Sequence, residues 1–132
     1  GAPALMVKSG GSRAPAERGK LYMDGRAIYS FMMSRIPQDI QDCLALNSLA
    51  IDGIDRFVFH QANRFMLESL RDRMKLPAEK VIIAVSDGGN TVGSTLPIAL
   101  EPLLAERPAR VLISGFGVGL SWATNVLQLH SR

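Results

Sequence analysis

Short apolar runs alternate with amphipathic segments along this chain. Three of the runs, Arg56–Phe59, Val81–Val85 and Arg110–Ser114, are nearly continuous in apolar residues. Such runs are typical of strands that are covered on both faces. A strand end at Leu21–Gly25 precedes them, and Leu120–Leu129 is predicted to form the last strand. The pattern therefore predicts five strands.

Three helices are predicted between these strands. From Arg26 onward, apolar residues recur every third or fourth position, which indicates an amphipathic helix, and Pro37 predicts a kink or a restart within it. A second helix follows Asn63, whose side chain is a suitable N-cap. The third helix would be capped by Ser94 or Thr95.

This order of elements predicts an α/β fold with helices on both faces of a mixed five-stranded sheet. The last strand should be antiparallel, because Gly115–Gly119 is too short for a parallel crossover. Residues 1–20 form a predicted loop segment with a short edge strand at Leu5–Val7, and residues 21–132 form the folded domain. The abrupt start suggests a segment that continues from a missing N-terminal half.

Composition excludes several classes of function. The chain has 15 basic and 12 acidic residues, and its charges are dispersed, which does not favour nucleic-acid binding. It has no apolar window long enough to cross a membrane and no signal-peptide pattern, so we expect a cytoplasmic protein. One cysteine and two distant histidines provide neither a disulfide nor a metal-ligand set.

Two polar strand ends are the candidates for chemistry. His60 follows the strand Arg56–Phe59, and Asn90 lies in the loop after Val81–Val85. The crevice at the carboxyl ends of strands is where ligands bind in open α/β sheets, so an imidazole and a carboxamide could converge there. A histidine alone is more often a structural residue than a catalytic one.

The glycine-rich segments do not match nucleotide-binding loops. Gly115-x-Gly117-x-Gly119 leads into a strand and therefore lacks the helix N-terminus that would hold a pyrophosphate. Close approach of the backbone to a substrate and a simple tight turn are equally good interpretations. Cys43 lies on the apolar face of the first helix, which favours a small buried residue over a nucleophile.

Taken together, these segments resemble the C-terminal half of a β-ketoacyl-acyl carrier protein synthase III, a condensing enzyme of the thiolase superfamily. Three motifs in register carry the resemblance, and they are His60-Gln61-Ala62-Asn63, Gly89-Asn90-Thr91 with Ser94 and Pro97, and Gly115-Phe116-Gly117-x-Gly119-Leu120-Ser121-Trp122. Gly10-Gly11-Ser12-Arg13, Met23-x-Gly25 and the helix through Pro37 also match.

The resemblance implies a three-layer α-β-α half of a thiolase fold, whose twin carries the nucleophilic cysteine. It also implies that His60 and Asn90 stabilise the enolate formed when malonyl-carrier protein loses carbon dioxide and condenses with an acyl group taken from acyl-CoA. The turn at Gly117 and Val118 would offer a backbone N–H to a second oxyanion. The pantetheine channel would be lined by Gly25, Tyr29, Ala62 and Asn63. Acyl-CoA would be a substrate, and no cofactor is implied.

One departure from the family pattern concerns the carrier. The family places an arginine two residues after the second amide of the first motif, where this chain has Phe65, and Arg64 lies one residue earlier. Arg64 is the candidate carrier-facing residue, so carrier protein and CoA thioester both stay open as the partner. An ester- or amide-forming acyltransferase and a non-catalytic scaffold that pairs with a cysteine-bearing partner are the alternatives. The family further implies a homodimer.

Overall fold

The structure, a computed structural model, describes residues 4–7, 9–10, 12 and 18–129, with only the backbone of residue 87. Its strands are β1 (Leu5–Val7), β2 (Leu21–Met23), β3 (Arg56–Phe59), β4 (Arg110–Gly117) and β5 (Ser121–Gln128). Its helices are α1 (Gly25–Leu46), α2 (Arg64–Met74), α3 (Val85–Gly88), α4 (Thr95–Leu100) and α5 (Leu103–Glu106), with 3₁₀ turns at Ile51–Gly53, Ala78–Lys80 and Val92–Ser94.

The central sheet is mixed, with the order β3-β4-β5. β3 runs parallel to β4 with Phe57 opposite Leu112, and β5 runs antiparallel to β4 with Val126 opposite the same residue. Phe57 and Leu112 belong to one buried cluster, and the partly buried Val126 packs against it. Apolar residues next to them along the strands, such as Val58 and Val111, belong to a second cluster, as expected because successive side chains of a strand point to opposite faces.

Helices cover both faces of this sheet. α1 and α2 pack on one face, where Ile36, Ile40 and Leu70 are fully buried. α4 and α5 pack on the other face through Ala99 and Leu103. The α/β fold with three layers and an antiparallel last strand is confirmed.

The prediction of five strands in that sheet is wrong among the described residues, because the sheet has three. The segment Val81–Val85 makes a single parallel bridge between Val81 and Phe57, and the chain then turns into α3. The side chain of Gln61 replaces the missing ladder, since its amide donates to the carbonyl of Ile82 and accepts from the N–H of Ala84. A tertiary contact therefore overrides the local strand propensity.

The strand predicted near residue 21 pairs elsewhere. β2 pairs antiparallel with β1 in a separate two-stranded sheet, with Met6 opposite Tyr22. The edge strand predicted at Leu5–Val7 is thus present. Much of the loop predicted over residues 1–20 lies outside the described residues.

α1 continues unbroken through Pro37, so the predicted restart is wrong. Proline removes one backbone hydrogen bond from a helix. Ile36 and Ile40, on either side of it, are both fully buried in the same cluster. Packing of one continuous apolar face of α1 therefore outweighs the cost of the hydrogen bond lost at Pro37.

Helix starts were predicted with mixed success. The side chain of Asn63 accepts a hydrogen bond from the N–H of Met66 at 2.8 Å and caps α2 as predicted. Ser94, at the N-cap of α4, makes no such bond, and the hydroxyl of Thr95 bonds to other groups. The predicted cap by either residue is therefore wrong.

Candidate active site

The backbone fixes His60 at the end of the parallel strand pair. Its N–H donates to the carbonyl of Ser114 at 2.9 Å, one residue past the last pair of β3 and β4. Gln61, buried next to it, donates to the carbonyl of Phe59 and so closes the strand end. His60 thus lies in the crevice at the carboxyl end of β3.

The imidazole of His60 contacts a hydroxyl group and an aromatic ring. Its Nδ1 is 2.7 Å from the hydroxyl oxygen of Thr95, which in turn is 2.9 Å from the carbonyl oxygen of Val92. The ring of Phe116 meets the imidazole edge-to-face with centroids 5.3 Å apart. Burial lowers the pKa of His60 from its usual 6.5, and a hydrogen bond with the Val92 backbone opposes that shift. Burial therefore favours the neutral form of this side chain.

Asn90 lies in the loop between α3 and the 3₁₀ turn Val92–Ser94. Its Oδ1 accepts a hydrogen bond from the N–H of Val92 at 2.9 Å. Gly89 before it has a φ of +67°, a left-handed conformation that glycine adopts without strain. Because the amide oxygen is engaged by the backbone, the NH₂ group is the part of this side chain that can serve a ligand.

His60 and Asn90 line the same cavity, whose volume is about 300 Å³. Among the described residues, no charged side chain lines it, and Tyr29 is the only titratable lining residue besides His60. At its rim, Tyr29 stacks on Phe65 with ring centroids 5.6 Å apart, and Phe65 is 66% exposed. The lining consists of Leu5, Met23, Gly25, Ile28, Tyr29, His60, Ala62, Asn63, Phe65, Met66, Asn90, Phe116 and Gly117.

Most of the residues singled out from the sequence meet at this cavity. The lining includes His60 and Asn90 together with Gly25, Tyr29, Ala62, Asn63 and Gly117. Val118 does not belong to it, and its exposed side chain lies in the three-residue turn between β4 and β5. Arg64 does not belong to it either, and its guanidinium lies 3.7 Å from the Glu68 carboxylate.

Two neighbours of His60 were not identified as site residues. Thr95 carried a sequence signal, a hydroxyl at a helix start, but that signal pointed to a cap. Phe116 was part of the quoted glycine-rich motif without a role of its own. Thr95 and Phe116 contact His60 only because α4 and β4 pack around the end of β3. A local sequence pattern does not predict this packing.

Cys43 lies on α1 and does not line the cavity. Its sulfur is 3.9 Å from the side-chain nitrogen of Asn47. Burial, and secondarily the Asp39 carboxylate, raises the pKa of its thiol. A raised pKa lowers the thiolate fraction and hence the nucleophilicity of the sulfur.

Over the part of the chain that the structure describes, no group of three or more His, Cys, Asp or Glu residues is arranged to hold a metal ion. No described helix combines the length and apolar character needed to span a bilayer. What the cavity does offer is an imidazole and a carboxamide in apolar surroundings. Neutral donors in such surroundings can stabilise an oxyanion, because little water competes for them.

Comparisons with known proteins agree with this fold. The family 3-oxoacyl-[acyl-carrier-protein (ACP)] synthase III C terminal matches residues 44–129. Beta-ketoacyl-[acyl-carrier-protein] synthase III of Acaryochloris marina is 36% identical over 110 residues, which are 80% of this chain and 33% of that protein. The Pyropia yezoensis protein of the same name is 32% identical over 131 residues, 96% of this chain and 40% of that protein.

Solved structures give the same picture. A 3-oxoacyl-(acyl-carrier-protein) synthase III superposes with a TM-score of 0.88 at 38% identity, over 97% of this chain and 44% of that one. The Thermus thermophilus synthase III superposes with a TM-score of 0.85 at 30% identity, over 99% and 43%. This chain therefore spans less than half the length of the relatives it matches.

The family match covers residues 44–129, well over half of the chain, and includes both His60 and Asn90 at the cavity. The chain belongs to the 3-oxoacyl-[acyl-carrier-protein] synthase III C-terminal family.

Proposed function

We propose that this domain supplies His60 and Asn90 to the decarboxylative condensation of an acyl group with a malonyl thioester. The observation that carries the proposal is that both side chains line one apolar cavity, and that the described residues of its lining include no charged group. The nucleophilic cysteine would come from a region outside this chain. That assignment is consistent with the position of Cys43 away from the cavity and with the raised pKa of its thiol.

The proposed reaction has two stages. The thiolate of the cysteine attacks the carbonyl carbon of acyl-CoA, and CoA leaves as its thiol. Malonyl-carrier protein then loses carbon dioxide, and the enolate carbon that forms attacks the acyl thioester and releases the cysteine. Acyl-CoA is a substrate in this scheme because its acyl group is transferred to the cysteine. No step is an oxidation or a reduction, so the scheme requires no redox cofactor.

His60 and Asn90 would act on the enolate. Loss of carbon dioxide puts negative charge on the thioester oxygen, and an imidazole N–H and a carboxamide N–H can both donate to it. Donors of this kind are typically worth roughly 3–4 kcal/mol each in related oxyanion sites. The role needs a neutral His60, and the lowered pKa of the imidazole supports this. The engaged oxygen of Asn90 supports its use as a donor.

A second oxyanion forms during acyl transfer, and we assign its donor to the turn after β4. Gly117 lines the cavity, and Val118 is the next residue along the chain. The backbone N–H of Val118 is the proposed donor, because it follows directly on the cavity-lining Gly117. The role concerns backbone geometry, so side-chain variants of Val118 should have little effect.

The pantetheine arm of the substrate would occupy the apolar part of the cavity. Gly25, Tyr29, Ala62 and Asn63 are the proposed contacts, and all four belong to the lining. A Cβ atom added at Gly25 would meet nothing within 4 Å, which fits a position that faces open cavity space. An uncharged arm with amide groups suits a lining of this composition.

The residues at the rim of the cavity bear on whether the malonyl donor is a carrier-protein thioester or a CoA thioester. Arg64 is the proposed carrier-facing residue, since its side chain is 56% exposed next to Phe65 at the rim. An acidic carrier protein would be attracted by that guanidinium, whereas CoA would depend more on the arm inside the cavity. We propose a carrier-protein thioester as the malonyl donor and a homodimer as the working assembly.

The function is tested by malonyl decarboxylation in the assembled enzyme. Removal of one donor from an oxyanion site typically costs a factor of about 100–1,000 in rate. We expect losses of that order for His60→Ala and for Asn90→Ala. Asn47→Ala is the matched control, because this exposed carboxamide at the end of α1 lies outside the cavity lining. Wild-type rates in both cavity variants would contradict the proposal.

A further inference from the structure

The hydroxyl of Thr95 bridges His60 and the backbone. Its oxygen is 2.7 Å from Nδ1 of His60 and 2.9 Å from the carbonyl oxygen of Val92. Only 2% of Thr95 is exposed, so water does not substitute for either partner. A hydroxyl carries one proton and can donate to only one of these two groups at a time.

The choice of acceptor decides which nitrogen of His60 carries the proton. If Thr95 donates to Val92, then Nδ1 must be the protonated nitrogen, and neutral His60 has a bare Nε2. If Thr95 donates to Nδ1, the proton is on Nε2. The first arrangement makes His60 a base toward the cavity, and the second makes it a hydrogen-bond donor.

The carbonyl of Val92 does not depend on the hydroxyl. It also accepts the backbone N–H of Thr95 in the 3₁₀ turn that leads into α4. The hydroxyl can therefore turn to Nδ1 without leaving that carbonyl unpaired, and so without the cost that an unpaired carbonyl carries. The backbone of Val92 also takes part in a hydrogen bond with the imidazole, whereas the edge-to-face ring of Phe116 offers it no acceptor oxygen.

We propose that Thr95 is the positioning residue for His60: its hydroxyl donates to Nδ1, keeps the proton on Nε2, and so presents an N–H to the cavity. The inference rests on the proposed function, because only a donor at Nε2 can serve an enolate oxygen. It also explains why this hydroxyl does not cap α4.

The experiment compares Thr95→Val with Thr95→Ser in the assembled enzyme. Valine has a similar shape but neither donates nor accepts, whereas serine retains the hydroxyl. We expect Thr95→Val to lower kcat for malonyl decarboxylation about 10- to 100-fold with KM changed less than about threefold, because a bound substrate would meet a donor that is present only part of the time. We expect Thr95→Ser to stay within about threefold of wild type.

Nitrogen NMR of ¹⁵N-labelled histidine gives a readout that does not depend on activity. In the wild type, Nε2 of His60 should carry the proton and Nδ1 should be an acceptor, and Thr95→Val should give a mixture of tautomers. A proton on Nδ1 in the wild type would overturn the inference, and so would an unchanged tautomer in Thr95→Val. A fully active His60→Ala would contradict the proposed function, while the NMR result would still test the hydrogen bond itself.

Discussion

The imidazole of His60 meets the ring of Phe116 edge-to-face, with centroids 5.3 Å apart and planes at 89°. Phe116 is 8% exposed, and no described residue that lines the cavity beside the two rings has a charged side chain. An imidazolium would lose hydration there without gaining a counter-ion. Burial therefore dominates the pKa of His60 and lowers it, against the weaker effect of the Val92 backbone.

This pKa shift predicts the pH dependence of both activity and stability. His60 should stay neutral below its usual pKa of 6.5, so the acid limb of malonyl decarboxylation should fall at a lower pH. Between the folded-state pKa and 6.5, the unfolded chain binds more protons than the folded one. Stability should therefore decrease as pH falls through that window and stop changing on this account below it. NMR titration of His60 and urea unfolding at several pH values measure the two effects.

Two substitutions of Phe116 provide the control. Phe116→Leu keeps the wall apolar, so the pKa of His60 should remain lowered. Phe116→Asn brings a polar group and water to the imidazole, so the pKa should rise toward the usual 6.5. Equal pKa values in the two variants would contradict burial as the cause.

The buried amide of Gln61 predicts a stability effect. Its nitrogen donates to the carbonyls of Phe59 and Ile82, and its oxygen accepts from the N–H of Ala84. Gln61→Leu would leave these backbone groups unpaired, at an expected cost of roughly 2–4 kcal/mol in the free energy of unfolding. Urea or thermal unfolding measures the loss.

Gln41→Leu is the matched control, because Gln41 is exposed on α1. Its substitution should change the free energy of unfolding by less than about 0.5 kcal/mol. A similar loss in both variants would show that Gln61 does not brace the strand end. Gln61→Glu should also destabilise, since a carboxylate cannot donate to two carbonyls.

Gln61 also shows which features of the structure the sequence could not predict. The sequence pattern predicted that His60 and Asn90 converge, and both line one cavity, although Asn90 follows α3 and not a strand. The conformation of Val81–Val85 does not depend on local residues alone, since the side chain of Gln61, about twenty residues earlier, forms hydrogen bonds with the backbone of this segment. The hydroxyl of Thr95 was missed for a related reason, because its partner lies 35 residues away.

Asn63 combines two roles that variants can separate. Its Oδ1 caps α2 through the N–H of Met66, and the residue also lines the cavity. Asn63→Asp keeps the capping oxygen but cannot donate, so stability should hold while KM for acyl-CoA rises about 2- to 10-fold. Asn63→Ala should raise KM similarly and also lose about 1 kcal/mol of stability. An unchanged KM in both variants would remove Asn63 from the pantetheine channel.

Arg64 and Phe65 predict how the rim distinguishes carrier protein from CoA. Arg64 is 56% exposed with a long 3.7 Å ion pair to Glu68, so its charge is available to a partner. An exposed charge contact is worth up to about 1 kcal/mol, so Arg64→Ala should raise KM for malonyl-carrier protein about fivefold at low salt. The effect should shrink at high salt, where exposed charges are screened. KM for acyl-CoA should not change, because Arg64 does not line the cavity.

Arg73→Ala is the control, since Arg73 is exposed in the last turn of the same helix and carries the same charge. Phe65→Arg should lower KM for the carrier substrate, because it adds a cation at the rim where Phe65 now stacks on Tyr29. It should at the same time weaken binding of acyl-CoA to the apolar rim. An equal rise in KM for Arg64→Ala and Arg73→Ala would mean that net charge, and not the rim, attracts the carrier.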